Sequence, residues 1–208
     1  MNVRLFWRDT APREGDVAWL SDEELARAQR FKLDGHRHAY VASHALLRSS
    51  LAQCGAGQSL RFVVGSHGRP ELPGSAFRFN LSRTAGLTVC VVADVEVGVD
   101  VEDVERAGET EAESYFAKSE LSELRALPVE AQRARFFELW TLKEAYIKAR
   151  GLGLAIPLDQ FAFKIGGPLA TFPVQFTTDP RLNDDASAWR FELLRPTLRH
   201  QVAVCVHV

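Results

Sequence analysis

Residues 131–150, closed by Gly151, constrain the fold more than any other stretch of the chain. Their apolar positions recur at helical spacing, and Gly151 stands where a left-handed cap ends a helix. On either side lie short runs of strand character: 3–7, 60–64, 77–81, 87–93 and 97–102 before the helix, and 160–165, 171–176, 189–194 and 201–208 after it. Two more helices are expected at 34–53 and 117–127, and Ser21 with Glu24 three residues on is a capping box that opens another. Runs 87–93 and 97–102, separated by Asp94-Val95-Glu96, read as a β-hairpin. From 105 to 113 apolar residues give way to charge, which suits a surface connection between two halves. The expectation is an α+β chain with lobes at 1–103 and 104–208, each mixing helices with short antiparallel strands.

Composition enters as an exclusion. The 208 residues are 46% hydrophobic and 25% charged, which removes disordered and collagen-like chains and permits one large domain or two small lobes. The three cysteines, Cys54, Cys90 and Cys205, are widely spaced in apolar runs, and read as buried hydrophobes in a reducing compartment rather than a disulfide framework. Charge recurs every few residues at the N-terminus, and nothing approaches the ~20 apolar residues of a membrane span. A cytoplasmic protein with no membrane partner is expected. A net charge of −2 argues against nucleic acid as a partner.

Two constellations carry chemistry. In Gly98-Val99-Asp100-Val101-Glu102 the side chains alternate, so Asp100 and Glu102 share one face of a strand and the valines take the other. Two carboxylates on one face repel each other and attract a divalent cation, and Gly98 leaves room for close approach of another group. On the helix, Trp140, Glu144 and Lys148 form an i, i+4, i+8 line, with a carboxylate and an ammonium beside an aromatic ring. Taken alone, the Glu144–Lys148 pair is an ordinary surface ion pair worth ~0.5 kcal/mol. Joined to Asp100 and Glu102, Glu144 completes three carboxylate ligands, a sensible protein share of an octahedral Mg²⁺ shell whose other positions go to water and phosphate oxygens. Lys148 would lie beside the same phosphates, and the whole suits a diphosphate ester.

The motifs G-V-D-V-E and F-x-E-L-W-T-x-K-E-A-x-x-K-x-x-G-x-G-L resemble the signature of the 4'-phosphopantetheinyl transferases, in their larger two-lobed bacterial type. Arg30-Phe31, Arg37, the Ala45-Leu46-Leu47-Arg48 run, Gly68-Arg69-Pro70 and Phe79-Asn80-Leu81-Ser82 extend the resemblance over roughly residues 25–160. It implies two similar α+β lobes about a pseudo-twofold with coenzyme A and Mg²⁺ between them. It also implies transfer of phosphopantetheine from coenzyme A to a serine of an apo acyl or peptidyl carrier protein, releasing adenosine 3',5'-bisphosphate.

By position, the resemblance makes Asp100, Glu102 and Glu144 the metal ligands and puts Lys148 on the transferred phosphate or the leaving oxygen. Glu120 matches a further acidic position near the site. Lys32, Arg37, Arg69 and Ser82 are implied to bind the 3'-phosphate and adenine end. Where the family usually has histidine after F-N-[IL]-S, this chain has Arg83, which still donates to phosphate but cannot titrate. The attacking serine belongs to the carrier, and its proton goes to Glu144, to water on the ion, or to Glu120. Two other readings use the same residues: a non-catalytic module that binds coenzyme A or the carrier, and a metal-dependent hydrolase of nucleotide diphosphates. A monomer is expected, with Arg125, Arg133 or Arg135 meeting the carrier.

Overall fold

The computed structural model describes residues 1–57, 60–65, 67–106, 115–166 and 174–208. Most of the charged connection read at 105–113 and the start of the strand read at 171–176 lie outside them. The chain divides into Met1–Val95 and Glu96–Val208.

The first unit holds β1 (Val3–Arg8), α1 (Asp22–Ala28), α2 (Asp34–Gln53), β2 (Val63–Val64), β3 (Pro70–Glu71), β4 (Arg78–Thr84) and β5 (Leu87–Ala93). The capping box at the start of α1 is formed: Ser21 N donates to Glu24 Oε2 at 2.8 Å and Glu24 N to Ser21 Oγ at 3.3 Å. β5 is the centre of an antiparallel sheet ordered β1-β5-β4, and every residue of it is buried. α2 lays Leu46, Leu47 and Leu51 against Phe79, Cys90 and Val92 of that sheet, so Cys90 serves as a small core residue.

The second unit holds β6 (Val97–Asp103), α3 (Lys118–Ala126), α4 (Val129–Arg150), β7 (Phe161–Ile165), β8 (Val174–Thr178), β9 (Trp189–Thr197) and β10 (His200–His207). Its main sheet is antiparallel in the order β6-β10-β9, with β7 and β8 as a separate hairpin. α4 ends as expected, with Gly151 left-handed at φ 66° and its N–H bonded to Ile147 O and Lys148 O.

The hairpin expected of 87–93 with 97–102 does not form. β5 already spends both edges on β1 and β4, and β6 instead pairs with β10 in register Val99↔Val204 to Asp103↔His200. The division between units therefore falls at Val95/Glu96 and carries β6 into the second unit, where the sequence had placed it in the first. Among the described residues no helix is long and apolar enough to cross a membrane.

The core of the second unit gathers around α4: Phe136, Phe137, Leu142, Tyr146 and Ile147 pack with Phe161, Phe163, Leu193 and Cys205. Here glycine matters. A Cβ built on Gly98 would stand 2.1 Å from Ala145 O and 2.4 Å from Ala149 N, so β6 lies backbone to backbone against α4, closer than any side chain permits.

Candidate active site

Strand alternation puts Asp100 and Glu102 on the same face of β6 as Gly98, the face that α4 covers. The close approach at Gly98 thereby lowers the Trp140, Glu144, Lys148 line of the helix onto two strand carboxylates. At one end Lys148 Nζ donates to Asp100 Oδ1 at 2.5 Å. At the other, Trp140 Nε1 donates to Glu102 Oε1 at 3.2 Å. Asp100 is 4% exposed and Glu102 9%, so both carboxylates are withdrawn from water.

The electrostatics show a shortage of positive charge. Burial, then the neighbouring charge of Asp100, pushes the Glu102 carboxyl up to about 7, against the pull of Arg106, the Trp140 N–H and Lys148. Glu144 is raised for the same two reasons, burial first and Asp100 second, with Lys148 opposing. Arg106 Nη1 stands 3.3 Å from Glu102 Oε2 and is itself half exposed. Lys148 and Arg106 thus offset only part of the burial and of the repulsion from Asp100 at Glu102, and Lys148 only part of it at Glu144.

Sequence reasoning expected those carboxylates closed around one ion. Among the described residues no group of three or more His, Cys, Asp or Glu side chains is arranged to hold a metal, and at Asp100 the neutralising group is the Lys148 ammonium. The donor set nevertheless fits a hard divalent cation: its groups are all carboxylate oxygens, Asp100 and Glu102 are buried and Glu144 half-buried, and burial with the charge of Asp100 makes Glu102 and Glu144 hold protons more tightly than an ordinary carboxylate.

Glu120 takes a different place from the one expected. Its side chain is 0% exposed and forms an ion pair at 2.8 Å with Lys143 Nζ, which is also 0% exposed. Oε2 also accepts from Ala117 N at 2.8 Å, capping α3, and Oε1 accepts from Phe163 N at 2.9 Å on β7. Lys143 Nζ donates further to Leu158 O and Phe161 O, both at 2.8 Å, and lies 4.3 Å from the centre of the Phe161 ring. A carboxylate enclosed and bonded in this way ties α3, α4 and β7 together, and its oxygens are taken up by Lys143, Ala117 N and Phe163 N rather than offered to a substrate as the base reading requires. Lys143 was missed although a signal existed: a lysine on the same helix face as Leu142, Tyr146 and Phe136 must be paired. Arg106 lay unread at the edge of the charged connection.

On the first unit, Ser82 is buried on β4 and its carbonyl accepts from Thr88 Oγ1 at 3.3 Å. Arg83, next on the strand, donates from Nη1 to Ser43 Oγ of α2 at 3.3 Å, and Ser43 Oγ donates to Tyr40 O at 2.9 Å. Lys32 is exposed beyond α1, Arg69 is half-buried beside β3, and Arg37 pairs with Asp34 on the first turn of α2. Of the arginines expected to meet a carrier, Arg133 is spent on Val104 O at 2.6 Å and Arg106 O at 2.8 Å, and Arg135 on Glu138 at 2.8 Å.

The profile of the 4'-phosphopantetheinyl transferase superfamily matches residues 96–205, nearly the whole second unit and every member of the acidic centre. The 4'-phosphopantetheinyl transferase HetI of Nostoc sp. is 38% identical over 200 residues, covering 91% of this chain and 79% of that protein. The 4'-phosphopantetheinyl transferase Sfp of Bacillus subtilis is 29% identical over 152 residues, 72% of this chain and 68% of that one. The L-aminoadipate-semialdehyde dehydrogenase-phosphopantetheinyl transferase of Xenopus laevis is 27% identical over 206 residues, 90% and 68%. The chain belongs to the 4'-phosphopantetheinyl transferase superfamily.

Proposed function

We propose that this protein, acting as a cytoplasmic monomer, transfers the 4'-phosphopantetheine of coenzyme A to a serine hydroxyl of an apo acyl or peptidyl carrier protein. The reaction is Mg²⁺-dependent and leaves adenosine 3',5'-bisphosphate. The observation that carries the reading is the pair of buried carboxylates Asp100 and Glu102 on β6, with Lys148 of α4 on Asp100 and the half-buried Glu144 one turn before it, where β6 packs on α4 at Gly98.

Asp100, Glu102 and Glu144 would hold the ion, which when bound neutralises the diphosphate and makes its phosphorus a better electrophile. Lys148, 27% exposed along its side chain, turns from Asp100 toward a phosphate oxygen, where its charge stabilises the developing negative charge. Glu144 also accepts the serine proton on a carboxylate oxygen. The basic and hydroxyl groups of the first unit, Lys32, Arg37, Arg69, Ser82 and Arg83, are assigned to the 3'-phosphate and adenine end. Arg83 is held for this by Ser43 and keeps its charge at every working pH. Glu120 has no part in the chemistry.

Incubation with coenzyme A, Mg²⁺ and an apo carrier protein, read by intact mass, tests the proposal. A carrier heavier by one phosphopantetheine supports it. Coenzyme A consumed with the carrier unchanged makes the protein a hydrolase, and neither change makes it a binding module.

A further inference from the structure

Trp140 is the member of the helix line to which the proposed reaction gives no task. A core tryptophan packed only for its bulk satisfies its N–H wherever a carbonyl is at hand. This one does not. Its indole leans on Phe116, ring centres 6.5 Å apart, and its Nε1–H crosses from α4 to β6 to donate to Glu102 Oε1 at 3.2 Å. Arg106 approaches the other oxygen, Oε2, at 3.3 Å.

Among the described residues each oxygen of Glu102 is thereby addressed by one side-chain donor, and a carboxylate oxygen so engaged has a second lone pair for another partner. The two donors differ in firmness. Arg106 is a long, half-exposed side chain whose pairing is screened by water. Trp140 is a rigid ring, partly buried and braced by Phe116, and its N–H carries no charge to compete with a cation for the carboxylate. Groups that hold a ligand's second lone pair in this manner set the direction in which the ligand is offered, and their removal typically costs 10- to 100-fold in metal affinity.

We infer that Trp140 is a positioning residue that fixes the carboxylate plane of Glu102 through its Nε1–H and so presents Glu102 to a divalent cation shared with Asp100 and Glu144. The inference rests on the metal reading above, and its test separates the two. Trp140→Phe keeps a ring against Phe116 and removes only the donor.

The measurement is Mn²⁺ affinity of the full chain without coenzyme A, read from the electron paramagnetic resonance of the free ion. It is made for wild type, Trp140→Phe, Glu102→Ala, the double variant and Asp100→Asn, with urea unfolding in EDTA recorded for each. The expected result is affinity weakened about 10-fold in Trp140→Phe and not weakened further by the same change in the Glu102→Ala background. A purely structural tryptophan moves the unfolding midpoint and leaves affinity alone, or weakens affinity equally in both backgrounds; either result overturns the inference and leaves the metal reading standing. If wild type binds no Mn²⁺ that Asp100→Asn abolishes, the metal reading falls and takes the inference with it.

Discussion

Replacing Glu120 by glutamine distinguishes a brace from a base, because the two roles predict opposite results. Glu120 and Lys143 are wholly enclosed, and the carboxylate holds three donors within 2.9 Å: Lys143 Nζ, Ala117 N and Phe163 N. Glutamine has nearly the same shape but no charge. It leaves an ammonium facing the Leu158 and Phe161 carbonyls and the Phe161 and Phe116 rings, with Asp159 acting on it at longer range, and presents an NH₂ where an acceptor stood. Breaking a buried pair on one side costs about 3–5 kcal/mol, since the remaining charge stays dehydrated and unmatched.

The loss has a pH signature. Burial already holds the Lys143 pKa below its ordinary value, with Glu120 opposing, so removing Glu120 lowers it further. A lysine whose folded pKa lies below its unfolded one destabilises the fold where it must stay charged, and the penalty fades as pH rises toward the unfolded value. Glu120→Gln should therefore be weakest at neutral pH and recover part of its deficit in alkali. The assay is urea denaturation followed by tryptophan emission, with Trp140 and Trp189 reporting the second unit. Lys143→Met should cost as much as Glu120→Gln, and the double variant less than the sum, because no unmatched charge remains. A Glu120→Gln protein within 1 kcal/mol of wild type but unable to transfer would refute the reasoning and return Glu120 to the chemistry.

Other consequences are sharper in sign than in size. Gly98→Ala drives a methyl into Ala145 O and Ala149 N, and should cost about 3 kcal/mol or more and lift α4 from β6; wild-type stability and turnover would contradict that packing. Glu102, raised from 4.5 to about 7, binds its proton more tightly folded than unfolded, so its contribution is complete at acid pH and is lost as pH rises from about 4.5 to about 7. The metal-free wild type measured against Glu102→Gln should lose up to about 3 kcal/mol across that window, and a flat or rising difference would oppose the assignment. Lys148→Met removes the cation on Asp100, and should bind Mn²⁺ roughly 5-fold more tightly, a repulsion of about 1 kcal/mol removed, while transferring more slowly. Weaker binding would show that Lys148 supports the ion rather than competing with it.

What the sequence revealed and what it hid follow from the range of the interactions. The faces of Asp100 and Glu102, the Trp140, Glu144, Lys148 line and the stop at Gly151 are local consequences of strand and helix periods, and all could be read before any coordinates. Gly98 gave its meaning away because a glycine inside a valine-rich strand makes sense only where another backbone comes close. The partner of β6 could not be read. Val101 pairs with Val202, about a hundred residues away, and nothing within 87–102 announces that β5 has both edges taken by β1 and β4. Glu120 was seen as an acid but not as a satisfied one, because its three donors come from Lys143, Ala117 and Phe163, and only the folded chain brings those together.

The acidic centre itself is tested most directly by a crystal grown with Mn²⁺ and coenzyme A and measured at the manganese absorption edge. The account predicts one strong anomalous peak bonded to carboxylate oxygens of Asp100, Glu102 and Glu144, with the Lys148 ammonium turned from Asp100 onto a phosphate oxygen. A peak held by other side chains, or none with Lys148 still seated on Asp100, would contradict it.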